Sequence, residues 1–154
     1  MPDILHALRP EEVEEARALF LEYAASLGFD LCFQGFDREL ASLPGDYALP
    51  GGGLWLAREG EEAIGCVALR RFAPGIGEMK RMYVRPGHRG KGIGRGLAEV
   101  VLAEARALGY RKLRLDTIAT MTVAIALYRT LGFVETAPYR ANPVPGASYF
   151  ELVL

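Results

Sequence analysis

The sequence predicts a mixed α/β fold in the order β-α-α-β-β-β-α-β-α-β-β. Three observations carry that prediction. The turn signals Glu59-Gly60-Glu61-Glu62 and Pro74-Gly75-Ile76-Gly77 separate three apolar, β-favouring runs, which makes an antiparallel meander. A helix-period stretch joins the last of these strands to the next one, and a strand-helix-strand crossover sets its strands parallel, so strands 4 and 5 are parallel while the final pair is antiparallel. At 154 residues and 51% hydrophobic, the chain suits a single domain spanning residues 1–154 with a substantial buried core.

In order, Ile4 to Leu8 reads as a short first strand. Pro10, Glu11 and Glu12 open a helix, because proline's fixed φ suits the first turn and carboxylates favour the positive end of the dipole. Val13, Ala16, Phe20, Tyr23 and Leu27 recur at helical spacing, and Gly28 ends the helix. Asp37 is expected to cap a short second helix bearing Leu40 and Leu43, followed by a Pro/Gly-rich loop from Pro44 to Gly53. The meander strands are 54–58, 63–69 and 78–84. Ile93, Leu97, Val100, Val101, Ala105 and Leu108 mark the next helix, which Gly109 terminates. A strand at 112–116 leads to a helix over 121–131 closed by Gly132. Strands at 133–139 and 148–154 finish the chain, joined by the loop 140–147.

The formal charge is only −1, yet Lys80, Arg81, Arg85, Arg89, Lys91 and Arg95 lie between Glu78 and Glu99 with no acid among them. Near-zero net charge argues against a general nucleic-acid or membrane binder, so the local positive charge points to a small polyanion. No leader and no long apolar run is present, which predicts a cytoplasmic protein with reduced thiols. Cys32 and Cys66 sit in apolar segments with no histidine placed to activate them, and read as small buried hydrophobes. His6 and His88 lack companion ligands at metal spacing, so no metal is expected.

Gly90, Gly92, Gly94 and Gly96 crowd a helix start, where each glycine costs about 1 kcal/mol relative to alanine. That cost is tolerated where the backbone must approach a partner closely. Free N–H groups at a helix N-terminus beside Arg89, Lys91 and Arg95 form a site for phosphate. A Walker loop is excluded, since no glycine pair here has its spacing followed by Lys and Ser/Thr. A dinucleotide fingerprint meets Arg95 or Leu97 where its third glycine belongs, although Asp116 imitates the ribose-binding acid and keeps this as a weaker alternative. The pattern that matches is Arg89-x-x-Gly92-x-Gly94.

The run Arg81-Met82-Tyr83-Val84-Arg85-Pro86 with Arg89-Gly90-Lys91-Gly92-Ile93-Gly94, followed by Ala124-Ile125-Ala126-Leu127-Tyr128-Arg129-Thr130-Leu131-Gly132-Phe133, resembles the GNAT family of N-acetyltransferases. The resemblance covers roughly residues 55–154. It implies an acyltransferase that moves acetyl from acetyl-CoA (coenzyme A) to an amine, with strands 4 and 5 splayed to form the cleft. It also implies that Met82 and Val84 pair with the pantetheine arm, that Arg89, Gly90, Lys91, Gly92, Gly94 and Arg95 wrap the pyrophosphate, and that Tyr128 sits near the sulfur. Many relatives carry Asn where this chain has Met121, which removes one cofactor contact.

Amine attack on a thioester needs a neutral amine, a donor for the developing oxyanion and a proton for the departing thiolate. The expected assignments are Tyr128 as general acid, a backbone N–H near Tyr83 as oxyanion donor, and Glu78 as general base. The competing readings are a core tyrosine at Tyr128 and an ordinary solvated acid at Glu78. Acceptor walls are expected from Phe33, Gln34, Phe36, Tyr139, Arg140 and Asn142, where Gln34 and Arg140 could hold the carboxylate of a small amine such as an amino acid, and where Phe33 and Phe36 read equally as core. The alternative to a small-molecule acetyltransferase is a catalytically idle acyl-CoA-binding sensor or interaction module. An open last strand near Phe150 could pair with a second copy in a homodimer.

Overall fold

Strict alternation in the central strands explains how one sheet serves two cores. In a strand, successive side chains point to opposite faces. In β2 (Gly53–Glu59), Leu54 and Leu56 therefore join one core while Trp55 and Ala57 join the other, and all four are buried. The same holds in β3 (Glu62–Ala73), where Cys66 and Ala68 face one side and Val67 and Leu69 the other. Both faces being covered, these strands read as continuous apolar runs.

A computed structural model describes residues 2–28, 30–31 and 34–154. The readings of Cys32 and Phe33 lie outside the described residues. Besides β2 and β3, the strands are β1 (Asp3–His6), β4 (Ile76–Val84), β5 (Lys112–Ile118), β6 (Val134–Thr136) and β7 (Ala147–Val153). The helices are α1 (Pro10–Ser26), α2 (Phe36–Ser42), α3 (Ile93–Ala107) and α4 (Thr122–Thr130), with a short 3-10 turn at Gly45–Tyr47. The sheet has seven strands in the order β1-β2-β3-β4-β5-β7-β6. All pairs are antiparallel except β4 and β5, which are parallel. This is the mixed α/β architecture the element order predicts.

The first layer over the sheet is α1 and α2, whose Ala16, Leu19, Phe20 and Phe36 pack on Leu54, Leu56 and Cys66. On the other face lies α3, with Leu97, Ala98, Val101 and Ala105 buried against Val67, Leu69 and Met79. The start of α1 is held by Glu12, whose Oε1 accepts hydrogen bonds from the backbone N–H of Arg9 at 2.9 Å and of Leu8 at 3.1 Å. Those bonds to Arg9 outweigh the small effect of burial and hold the Glu12 carboxyl below its ordinary value.

Several boundaries differ from expectation. Gly35, in the left-handed region at φ 70°, is the N-cap of α2, and Asp37 falls within the first turn. The predicted strand over 133–139 contracts to Val134–Thr136 because Pro138 cannot donate to a ladder. The last strand is not an edge: β7 lies between β5 and β6, and Phe150 is buried, so that route to a homodimer is closed. Among the described residues, no helix is long and apolar enough to cross a membrane.

Candidate active site

The parallel pair β4 and β5 is joined for only three residues. Ile76, Gly77 and Glu78 face Lys112, Leu113 and Arg114, and beyond Glu78 the strands separate. Glu78 thus marks a fork. The β4 strand also carries a bulge. Cys66 pairs with Tyr83 and Ala68 with Lys80, so Arg81 and Met82 together oppose Val67. The bulge residue Arg81 has φ 58°, and among the described residues it is the one non-glycine with positive φ. Such a backbone conformation costs on the order of 1 kcal/mol and needs support from its surroundings.

On one side of the fork lies a cleft of about 790 Å³, lined by Met82, Val84, Arg89, Gly90, Gly92, Gly94, Arg95 and Leu127 among others. Its floor is the start of α3. Gly92 is the N-cap, with φ 80°, and no side chain caps the helix, leaving the N–H groups of the first turn available. A Cβ at Gly92 would meet nothing within 4 Å, so glycine serves conformation there. Gly96 has another reason: a Cβ would come within 2.9 Å of Ile4 Cδ1, so glycine permits α3 to approach β1.

The six neighbouring cations of the sequence are divided by the fold. Arg81 is paired with Glu39, and Arg85 with Glu22 at 2.6 Å and Glu62 at 3.3 Å. Lys80 turns to the opposite side of the fork. Arg89 curls back to donate from Nε to the Val84 carbonyl at 2.7 Å, and Arg95 lies beside Glu99 at 3.3 Å. Lys91 is exposed and does not line the cleft, whereas His88, which sequence reasoning had considered only as a metal ligand, does. Only the loop cations Arg89, Lys91 and Arg95 remain near the helix start.

A narrow passage of about 70 Å³ leads between the separated strands, and Met82, Lys80, Asp116 and Tyr128 all line it. Tyr128 is buried against the rings of Phe133 and Phe150, at centroid distances of 5.9 and 6.5 Å. It is therefore both a core tyrosine and a lining residue of the passage. Burial pushes its hydroxyl well above the ordinary range, so it keeps its proton at neutral pH. Met121 is the N-cap of α4 and borders both the passage and the large cleft.

On the far side is a second basin, of about 540 Å³, bordered by Gln34, Phe36, Glu39, Arg70, Lys80 and Arg140. Glu78 lies beneath it with no solvent exposure. Its Oε1 accepts from Arg70 Nε at 2.8 Å, and its Oε2 accepts from the Tyr139 hydroxyl at 2.7 Å and from Arg140. Burial by itself would raise this carboxyl. Lys80, Arg140 and Arg70 outweigh it and bring it down to about 2. The expectation of Glu78 as general base does not suit this arrangement, nor does the reading of a solvated acid. Both oxygens are engaged by strong donors, and a carboxylate so stabilised is a poor proton acceptor at neutral pH.

The expected acceptor residues separate in role. Tyr139 and Arg140 converge on Glu78, and Arg140 also approaches Asp116 at 3.8 Å. Gln34 accepts a hydrogen bond from Lys80 Nζ at 2.9 Å. Phe36 is buried in the α1/α2 core and also lies beneath Arg81, whose guanidinium carbon is 5.2 Å from the ring centroid. Asn142 turns its side chain to the Val144 N–H at 2.9 Å while bordering the passage. Cys66 is fully buried, its thiol donates to the Arg81 carbonyl at 3.3 Å, and burial pushes it far up, which suits a small packing residue. Among the described residues no group of three potential metal ligands occurs.

Lys80 and Asp116 were not singled out as acceptor-site residues from sequence. Glu78 and Lys80 stand two positions apart in β4 and therefore on one face of the strand, which was the available signal for Lys80.

Comparison with known proteins adds to this geometry. The family model described as Acetyltransferase (GNAT) family matches residues 11–133. An uncharacterized N-acetyltransferase of Schizosaccharomyces pombe is 41% identical over 145 residues, covering 93% of this chain and 89% of its own. Among solved structures, a Klebsiella pneumoniae protein assigned as an acyl-CoA N-acyltransferase is 29% identical with a TM-score of 0.74, covering 100% of this chain and 98% of that one. A Salmonella typhimurium acetyltransferase solved with its cofactor acetyl-CoA shares the fold at TM-score 0.74 and 21% identity, over 99% of this chain and 94% of that one.

Proposed function

The chain belongs to the acetyltransferase (GNAT) family, and from that premise we propose that it moves an acetyl group from acetyl-CoA to the primary amine of a small metabolite or amino acid, by direct attack in a ternary complex. The observation that carries this reading is the open fork. Beyond Glu78 the strands β4 and β5 part, with a large cleft on one side, a polar basin on the other, and Tyr128 and Met82 lining the passage that joins them.

In this reading Met82 and Val84 offer backbone to the pantetheine arm. The loop from Arg89 to Arg95 and the uncapped start of α3 hold the pyrophosphate, with backbone N–H groups as donors and the helix dipole favouring the anion. The donor supplies an activated thioester. A backbone N–H at the bulge near Tyr83 stabilises the charge that develops on the carbonyl oxygen. Tyr128, protonated at neutral pH, gives its proton to the departing thiolate. Glu78 acts as an anchor: fixed in the charged form, it holds Arg140, Arg70 and Tyr139 at the basin. The carbon–sulfur bond breaks as the carbon–nitrogen bond forms, the amine proton leaves to water, and Tyr128 recovers a proton from water to complete the cycle.

The test is release of free thiol from acetyl-CoA across a panel of primary amines. Turnover with a member of the panel is expected, and Tyr128→Phe is expected to lower kcat by roughly 100-fold while leaving coenzyme A affinity unchanged. Tight coenzyme A binding without turnover on any amine would favour an acyl-CoA-binding module instead.

A further inference from the structure

We propose that the basin beside the fork recognises a carboxylate on the acceptor, and that Lys80 and Arg140 are the side chains that bind it. The acceptor class is then an amine that also carries a carboxylate, such as an amino acid, in preference to a polyamine or a simple alkylamine. This rests on the acetyl-transfer reading and deepens it.

The argument begins with the charges at the floor of the basin. Arg70, Lys80 and Arg140 gather around one buried carboxylate, that of Glu78, and three cations against one anion leave a formal excess of two. Other acids approach from neighbouring elements, each beside an arginine and none beside Lys80, while Asp37 and Arg38 on the rim offset one another. Asp116 on β5 reaches Arg140 at 3.8 Å, the exposed Asp46 reaches Arg70 at 3.9 Å, and Glu39 on α2 is committed to Arg81. With Asp116 and Asp46 counted the formal charges balance, but those acids lie beside Arg140 and Arg70, and Lys80 is the cation with no acid directly beside it. Among the described residues no carboxylate lies within 4 Å of the Lys80 amine, whose hydrogen bond goes to the neutral Gln34 amide.

A lysine has three donors, and among the described residues one is so engaged. Lys80 is nonetheless buried, at 8% exposure, where an unpaired ammonium is expensive. The strain is visible in its basicity: burial and the adjacent Arg81 bring the amine down to about 8, although Glu78 and Asp116 pull the other way. A carboxylate delivered by a ligand would supply the acid partner that Lys80 lacks. Position fits the same purpose. Lys80 lines both the basin and the passage towards Tyr128, so an anion bound there leaves the ligand's amine directed into the passage. Gln34, expected to contact the acceptor, serves to orient Lys80.

The experiment uses the purified full chain. Turnover is measured for amino acids and for their carboxamides, and binding of the N-acetylated acids and N-acetylated amides to the enzyme with coenzyme A is measured by calorimetry. The proposal expects the acid of a pair to be favoured by at least roughly 10-fold in kcat/KM and in affinity. Lys80→Met is expected to erase that preference by weakening the acid alone. In the wild type, affinity for the N-acetylated acid should fall about 10-fold between pH 7 and pH 9, as Lys80 loses its proton, while the amide is unaffected. That second measurement stands even if the variant fails to fold. Equal handling of acid and amide, or an equal loss of both in Lys80→Met, overturns the carboxylate assignment. If no amine turns over, the acetyl-transfer reading fails by itself, and calorimetry still decides the basin: acid-selective binding supports the proposal, and no selectivity or no binding overturns it.

Discussion

Glu39 grips Arg81 through two hydrogen bonds, 2.9 Å to Nε and 2.7 Å to Nη2, at the bulge where the backbone of β4 turns left-handed. The Arg81 side chain is 3% exposed. Helix α2 is thereby tied to the strand that opens the fork, and the conformation that Arg81 would not adopt alone is held in place. Removing one partner of such a buried pair leaves an uncompensated charge. Glu39→Gln is expected to lower stability by about 3 kcal/mol, read by urea unfolding. An unchanged midpoint would show that the bulge is held by other contacts.

A second prediction concerns acid. The ordinary value for a glutamate stands at 4.5, and the folded protein brings Glu78 down to about 2. The folded state therefore favours the charged form, and this contribution is complete above pH 4.5 and lost as pH falls towards 2. Stability measured against pH should drop through that window, and Glu78→Gln should flatten the drop. At neutral pH the same variant should be less stable by about 3 kcal/mol, because Arg70 and Arg140 lose their shared anion.

Lys80 behaves in the opposite sense at alkaline pH. Its ordinary value of 10.5 lies above the folded value of about 8, so between these two limits the unfolded chain binds a proton that the folded one does not. Stability attributable to Lys80 should rise as pH climbs through that interval. In Lys80→Met the rise should vanish, and the variant should be more stable than wild type at pH 7 by about 2 kcal/mol. Thermal melts from pH 7 to pH 10.5 measure both.

The two glycines of the α3 start should respond differently. At Gly92 there is room for a side chain but a left-handed backbone, and the position borders the anion cleft. Gly92→Asp should keep the fold and weaken coenzyme A binding by roughly 100-fold, since like charge at such a site costs several kcal/mol. Gly96→Ala meets the end of a flexible Ile4 side chain and should cost about 1 kcal/mol of stability with coenzyme A affinity intact. Calorimetry with each variant separates the two roles.

The element order, the parallel relation of strands 4 and 5 and the glycine-rich start of α3 were legible in the sequence, because they follow from local rules: turn residues, hydrophobic period, the handedness of crossovers and the backbone needs of a helix start. Tyr128 stood out only through the resemblance to a known family. The acceptor side was not legible to the same degree. Six cations that are neighbours along the chain end with different partners, Arg81 on Glu39, Arg85 on Glu22 and Lys80 on the neutral Gln34 amide. Glu78 reads as a free acid in the sequence, and becomes an anchor because Arg70, Tyr139 and Arg140 reach it from β3 and from the loop before β7. Charge on a side chain belongs to its own residue, but its basicity depends on burial and on partners up to 62 positions away. Only the tertiary structure brings those partners together, so it alone decided which carboxylate is buried among arginines and which cation has no acid beside it.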